Sequence, residues 1–146
     1  MTRREIREQA FMLLFEKMFN QDSNVKELAA FAEESGLFVA DTFALELAAC
    51  AVENLEAVDE RLSALSRKWA LSRLPRVSLA VLRLAATEIL YFDDIPVSVS
   101  INEAVELAKK YGSVEDASFI NGILGTLSRS LKNQTEEKIE NNTSEE

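Results

Sequence analysis

Arg3, Arg4 and Arg7 stand together at the start of a chain whose formal net charge is -9. In a helix, positions three and four apart lie one turn above each other, so Arg3, Arg4 and Arg7 share a face. Guanidiniums grouped this way suit phosphate, because each presents a planar fork of N–H donors that meets two oxygens at once. They also oppose the positive end of a helix dipole, at ~0.3–1 kcal/mol for each misplaced charge. Glu5 and Glu8 offset part of that cost. The placement hints at a use outside the helix, such as meeting phosphates, with a plain solvated tip as the alternative.

A second basic stretch runs from Arg61 to Thr87, with six basic residues and no acid. It contains Arg61, Arg67, Lys68, Arg73, Arg76 and Arg83. Arg76 and Arg83 are seven apart, two helical turns, and so share a face. The preceding residues 22–60 carry ten acids and one base. Two outcomes are open: these arginines join the N-terminal ones in one cationic area, or they pair with the acids of residues 22–60.

Catalytic chemistry has little to work with. Histidine is absent and Cys50 is the single cysteine. Histidine triads, an internal disulfide and a Cys/His zinc site within one chain are therefore excluded. Cys50 lies among alanines at helical spacing and reads as a structural thiol. Asp93–Asp94, Glu115–Asp116 and Glu136–Glu137 are adjacent pairs that diverge from a helix or loop. Glu103 and Glu106 share a face, as carboxylates on solvated helices often do. No glycine-rich phosphate loop is present. The expectation is no enzyme, no cofactor and no metal.

Helices must position these groups. Four glycines and two prolines are too few for the turns of a β-sandwich. Thr2–Glu5 fits a capping box that opens a first helix reaching about Phe19. Asp22 or Ser23 is expected to cap a second helix, about Val25 to Glu34, that stops at Gly36. Asp41 opens a long periodic stretch through Leu65 with a possible bend midway, followed by a short turn around Trp69. A central helix follows Pro75, from about Arg76 to Tyr91. Ser98 or Ser100 is expected to cap the next, with Ser100–Glu103 as its capping box, and it stops at Gly112. Ser113 caps a last helix to Leu131. The expected fold is all-α, one compact domain of six to seven helices over residues 1–132. The polar, acidic tail of residues 133–146 is expected to be disordered. No apolar run approaches the roughly 20 residues that span a bilayer, and the first residues lack a signal peptide's apolar core. The expected location is cytoplasmic.

Phe11, Phe15 and Met18 form a second apolar strip on the first helix, beside Ile6, Ala10, Leu13 and Leu14. Either neighbours cross this helix on two sides, or the second strip is a docking surface. Asn121 and Gly122 sit inside an apolar helix, where glycine costs ~1 kcal/mol relative to alanine. A backbone passing close to Gly122 would explain both. Phe119 either packs or offers a stacking face to an unpaired base.

The segments "RREIREQAFMLLF", "LPRVSLAVLRLAATEILYFDDIPVSVSINEAVELAKKYG" and "SFINGILG" together resemble the NusB family of bacterial transcription antitermination factors, over roughly Arg3 to Leu131. The resemblance implies two small helical bundles packed side by side. It implies binding of boxA single-stranded RNA together with the ribosomal protein NusE, within the transcription elongation complex that makes rRNA. By this resemblance Arg3, Arg4, Arg7, Arg76, Arg83, Ser118 and Phe119 are the RNA-binding candidates. Phe11, Phe15, Met18 and Ser78 are the partner-binding candidates. The alternatives are a protein-interaction adaptor with incidental RNA contact, and a homodimer through the same strip.

Overall fold

A computed structural model describes residues 1–66 and 70–144, with side chains through Gln134. Among the described residues there are seven α-helices and one short 3-10 turn. Helix α1 spans Arg3–Phe19, α2 Val25–Glu34, α3 Thr42–Glu53, α4 Leu55–Leu65, α5 Arg76–Tyr91, α6 Val97–Tyr111 and α7 Val114–Ser144. The basic residues Arg67 and Lys68, and the turn expected around Trp69, lie outside the described residues.

Local chemistry accounts for most of the boundaries. The Thr2 hydroxyl accepts from the Glu5 amide, and the Glu5 carboxylate accepts from the Thr2 amide, so the expected capping box opens α1. Asp41 accepts from the Phe43 amide to open α3, and Ser113 accepts from the Asp116 amide to open α7. Gly36 has φ +77°, the left-handed conformation that favours glycine, and ends α2 with paired bonds from Gly36 N to Glu33 O and Leu37 N to Ala32 O.

Several expectations are corrected. Asn24, not Asp22 or Ser23, caps α2 through the Glu27 amide. The stretch from Asp41 to Leu65 is two helices, broken at Asn54, whose side-chain amide donates to the Cys50 carbonyl. Helix α6 starts directly after Pro96, so Ser100 lies inside it and no Ser100–Glu103 box forms. Beside these corrections, helix α7 is described from Val114 to Ser144. Gly122 is exposed, with open space where a Cβ would stand, so no backbone passes close to it. Cys50 is half-buried, and burial pushes its thiol above the ordinary value.

The helices sort into two groups. α1, α2 and α3 pack on one another, α4–α7 form the second group, and α5 joins them by packing against both α1 and α3. Leu14, Leu47, Val58, Leu62, Leu82, Ile120, Leu124 and Leu127 are buried in one core spanning the groups. A smaller apolar cluster beneath α2 holds Leu13, Val25, Leu28, Ala29 and Ala48.

One polar assembly crosses that join. Arg7 is 6% exposed and Glu88, on α5, 2% exposed. Arg7 Nη2 donates to Glu88 Oε1 at 2.6 Å, and Nε donates to Oε2 at 3.0 Å. The Ser100 hydroxyl on α6 donates to Glu88 Oε1 at 2.8 Å. Arg7 Nη1 donates to the Arg3 carbonyl, and the Arg7 guanidinium lies 5.6 Å from the centre of the Phe43 ring on α3. Four helices are thus referred to one guanidinium. Breaking such a buried pair from one side leaves an uncompensated charge, at ~3–5 kcal/mol. Arg7→Met is therefore expected to lower unfolding stability in urea by about that amount. Arg7→Met combined with Glu88→Met is expected to recover most of the loss, because no charge is then stranded.

Candidate nucleic-acid and partner interface

Helix α1 carries most of the predicted site residues, and the structure divides them by depth and by end. Arg3 and Arg4 are exposed in its first turn. Arg3 makes no ion pair among the described residues. Arg4 Nε reaches Glu103 Oε2 on α6 at 3.4 Å, a long contact between a half-exposed arginine and a largely buried acid. Lys110 on α6 pairs with Glu8 at 2.8 Å, and that bond raises the Lys110 pKa above its ordinary value.

Arg7 does not belong to this surface. Its charge is buried against Glu88, so it offers nothing to an external phosphate. It shares a face with Arg3 and Arg4, but α5 and α6 close over that face one turn into the helix.

Arg76 and Arg83 do not join the N-terminal arginines. The exposed Arg76 guanidinium lies 5.2 Å from the centre of the Phe19 ring, at the C-terminal end of α1. At 1.5 Å per residue, Phe19 is roughly 24 Å along the axis from Arg3. Arg83 is held in a fork by Asp59 on α4, at 2.9 and 2.8 Å. Its partner is one of the acids of residues 22–60, so the pairing alternative holds for Arg83. The expected single cationic area is therefore not formed by these residues.

The aromatic strip also divides. Phe11 is buried, stacked on Tyr111 at 5.0 Å and on Phe15 at 5.7 Å. It is a core residue and not a docking one. Phe15 and Met18 are half-buried, and Phe15 meets Phe19 edge-on at 5.1 Å. Phe19 is 57% exposed and was absent from the sequence-based candidates. Its i, i+4 spacing from Phe15 was the available signal. Met18 lines a cavity of about 410 Å³ with Leu14, Lys17, Leu79, Arg76 and Arg83. Ser78 is buried, 1% exposed, and its hydroxyl has no hydrogen-bond partner, so it cannot meet a partner protein in this arrangement.

Ser118 and Phe119 open the last helix. Ser118 is exposed and Phe119 half-buried, packed against the core. Ser118 and Asn121 line a shallow groove of about 550 Å³ between α6 and α7, with Ile101, Asn102, Val105 and Lys109. Its floor is apolar and its rim is amide, hydroxyl and ammonium, a set that suits hydrogen bonding to neutral polar edges.

Among the described residues, no group of acidic or cysteine side chains is placed to hold a metal. No described helix is long and apolar enough to cross a membrane. The arrangement is an all-helical scaffold with the exposed Arg3 and Arg4 at one end of α1 and Phe19 beside Arg76 at the other.

Comparisons with known proteins agree. The profile of the NusB family matches residues 4–129. The transcription antitermination protein NusB of Citrifermentans bemidjiense is 43% identical over 139 residues, covering 89% of this chain and 96% of its own. The solved NusB of T. maritima superposes with a TM-score of 0.73 at 36% identity, covering 88% of this chain and 92% of its own. The NusB chain in a crystal structure of the antitermination factors NusB and NusE with dsRNA superposes with a TM-score of 0.75 at 25% identity, covering 89% and 99%. The chain belongs to the NusB family of transcription antitermination factors, and it is not an enzyme.

The Arg83–Asp59 fork is partly shielded, so its loss falls between the values for exposed and buried pairs. Arg83→Ala is expected to lower unfolding stability by about 1–2 kcal/mol, and Asp59→Ala by a similar amount, in thermal or urea melts. Additive losses in the double variant would show that the two side chains do not act as a pair.

Proposed function

We propose that this chain is a cytoplasmic antitermination factor that binds boxA-type single-stranded RNA together with the ribosomal protein NusE, within the transcription elongation complex that makes rRNA. The observation that carries the reading is the likeness to a chain of the NusB–NusE–dsRNA complex, joined to the exposed guanidiniums of Arg3 and Arg4. These two arginines supply the phosphate contacts. Ser118, with Phe119 beside it, supplies a second contact at the start of α7. The half-buried Phe15 and Met18, extended by Phe19 and Arg76, form the face for the partner protein. RNA and protein then meet different ends of α1, which allows both to be held at once.

An exposed aromatic surface backed by Arg76 also favours the adaptor reading, in which the partner protein is the main contact and RNA is secondary. The two readings differ in what the arginines do for affinity. For single strands the slope of log K against log salt is about -0.7 per phosphate contact, so two arginines contribute about -1.4.

Arg3→Glu with Arg4→Gln is expected to weaken binding to boxA-like RNA and to reduce that slope by about 1.4, with the glutamine amide still able to donate to Glu103. Fluorescence titrations with single-stranded, scrambled and double-stranded RNA, each with and without NusE, would measure this. Unchanged affinity and slope in the double variant would remove the start of α1 from the RNA site. A NusE complex with no RNA shift in any arm would leave the adaptor reading. A concentration-dependent dimer in sedimentation, abolished by Phe19→Ser, would assign the aromatic end to self-association instead.

A further inference from the structure

A second surface lies on α2 and on the segment that follows it. Phe31 is 68% exposed on α2, and Leu37 and Val39, just beyond that helix, are 59% and 65% exposed. These are large apolar side chains left in water by a chain that has buried most of its others.

They are held there, and not loosely. The bond from Leu37 N to Ala32 O turns the chain back over the last turn of α2. Helix ends of this form often set the residue after the glycine, here Leu37, toward the last turn of the helix. The following segment is then pinned by one buried amide. Gln9 Nε2 donates to the Val39 carbonyl at 3.1 Å, and Gln9 Oε1 accepts from the Asp41 amide at 2.8 Å. Between these anchors the side chains alternate. Phe38 and Ala40 pack on the smaller core cluster while Leu37 and Val39 point out. The inward pair seats the segment on the smaller core cluster, while Leu37 and Val39 remain largely in solvent. A shallow cavity of about 230 Å³ beside them is lined by Met1, Met12, Leu37 and Phe38.

The rim selects the occupant. Glu27 and Glu34 stand four residues before and three after Phe31, on its face of α2. Both are exposed, and neither they nor Glu33 form an ion pair among the described residues. Arg3 is nine residues from Met12, two and a half turns, and so faces the other way. RNA phosphates and anionic lipid headgroups are repelled by unpaired carboxylates. A two-fold dimer through this patch would set the same acids against each other. A basic protein segment satisfies both the rings and the rim.

We infer that Phe31, Leu37 and Val39, rimmed by Glu27 and Glu34, form a docking site for a basic, amphipathic segment of a partner protein. The site is separate from the Phe15–Phe19 face, and the cavity that Leu37 lines reaches Met1 and Glu5 beside the start of α1. Its backbone is already fixed by Gln9, so little ordering cost is added on binding.

The test uses the full chain and three synthetic peptides: one helical with alternating lysine and leucine faces, one with each leucine replaced by serine, and one with each lysine replaced by glutamate. Amide shifts in 15N spectra report the site. The lysine–leucine peptide is expected to shift amides of residues 27–39, and Phe31→Ser with Leu37→Ser to weaken it about tenfold. Glu27→Gln with Glu34→Gln is expected to weaken it as well, while the Phe31→Ser, Leu37→Ser variant keeps the RNA affinity of the parent chain. The serine peptide binding as tightly as the leucine peptide would reduce the effect to bulk charge and overturn the proposal. So would shifts centred outside residues 27–39, or parent-like binding in both double variants. Dimerisation in sedimentation that the Phe31→Ser, Leu37→Ser variant abolishes would assign the patch to a second copy, which also overturns it.

Discussion

The structure depends on one carboxylate placed where no water can reach it. Glu88 sits on the core face of α5, and burying its charge alone would cost several kcal/mol. That cost is offset only if a guanidinium and a hydroxyl arrive with the right geometry. Arg7 must come from α1 and Ser100 from α6, so the pair dictates how the N-terminal helices meet the C-terminal ones. Apolar packing at that join would tolerate sliding or rotation, whereas a forked ion pair does not. The net contribution to stability of such a pair is small. Its value is that misregistered packings strand a charge.

This constraint explains the division of labour among the N-terminal arginines. Once α5 and α6 close over Arg7, the arginines left for solvent are those before the first full turn of α1. The same helix then runs through the core and emerges at Phe19, against Arg76. α1 therefore runs between an exposed arginine tip and an exposed aromatic tip. An acidic chain can bind an anionic ligand in this way because local field, and not net charge, governs docking.

Much of the fold was legible along the chain because its signals are local. Thr2 with Glu5, Asp41 and Ser113 cap helices by bonds within three residues, and Gly36 ends α2 through its own φ. The reading failed for a different reason in each case. Ser100 has the spacing of a cap, but its hydroxyl is drawn to Glu88, and the restricted Pro96 starts the helix instead. Asn54 broke a periodic stretch by bonding its own preceding turn, a choice the hydrophobic pattern does not encode. Gly122 was read as a close backbone approach, and it faces solvent instead. Glu88 carried a usable signal: an acid in register with Val81, Leu84 and Ala85 on a buried face must have a buried partner.

The sequence by itself determined the all-helical class, most helix ends and membership of the NusB family, since periodicity, capping and motif order are written in neighbouring residues. Only the tertiary structure decided which cations are free. Arg3, Arg7 and Arg83 are the same chemical group at helical spacing. One meets water, one Glu88 and one Asp59, and the difference lies in carboxylates supplied by other helices. Depth is a property of the packed assembly, so no reading of a single helix face can assign it.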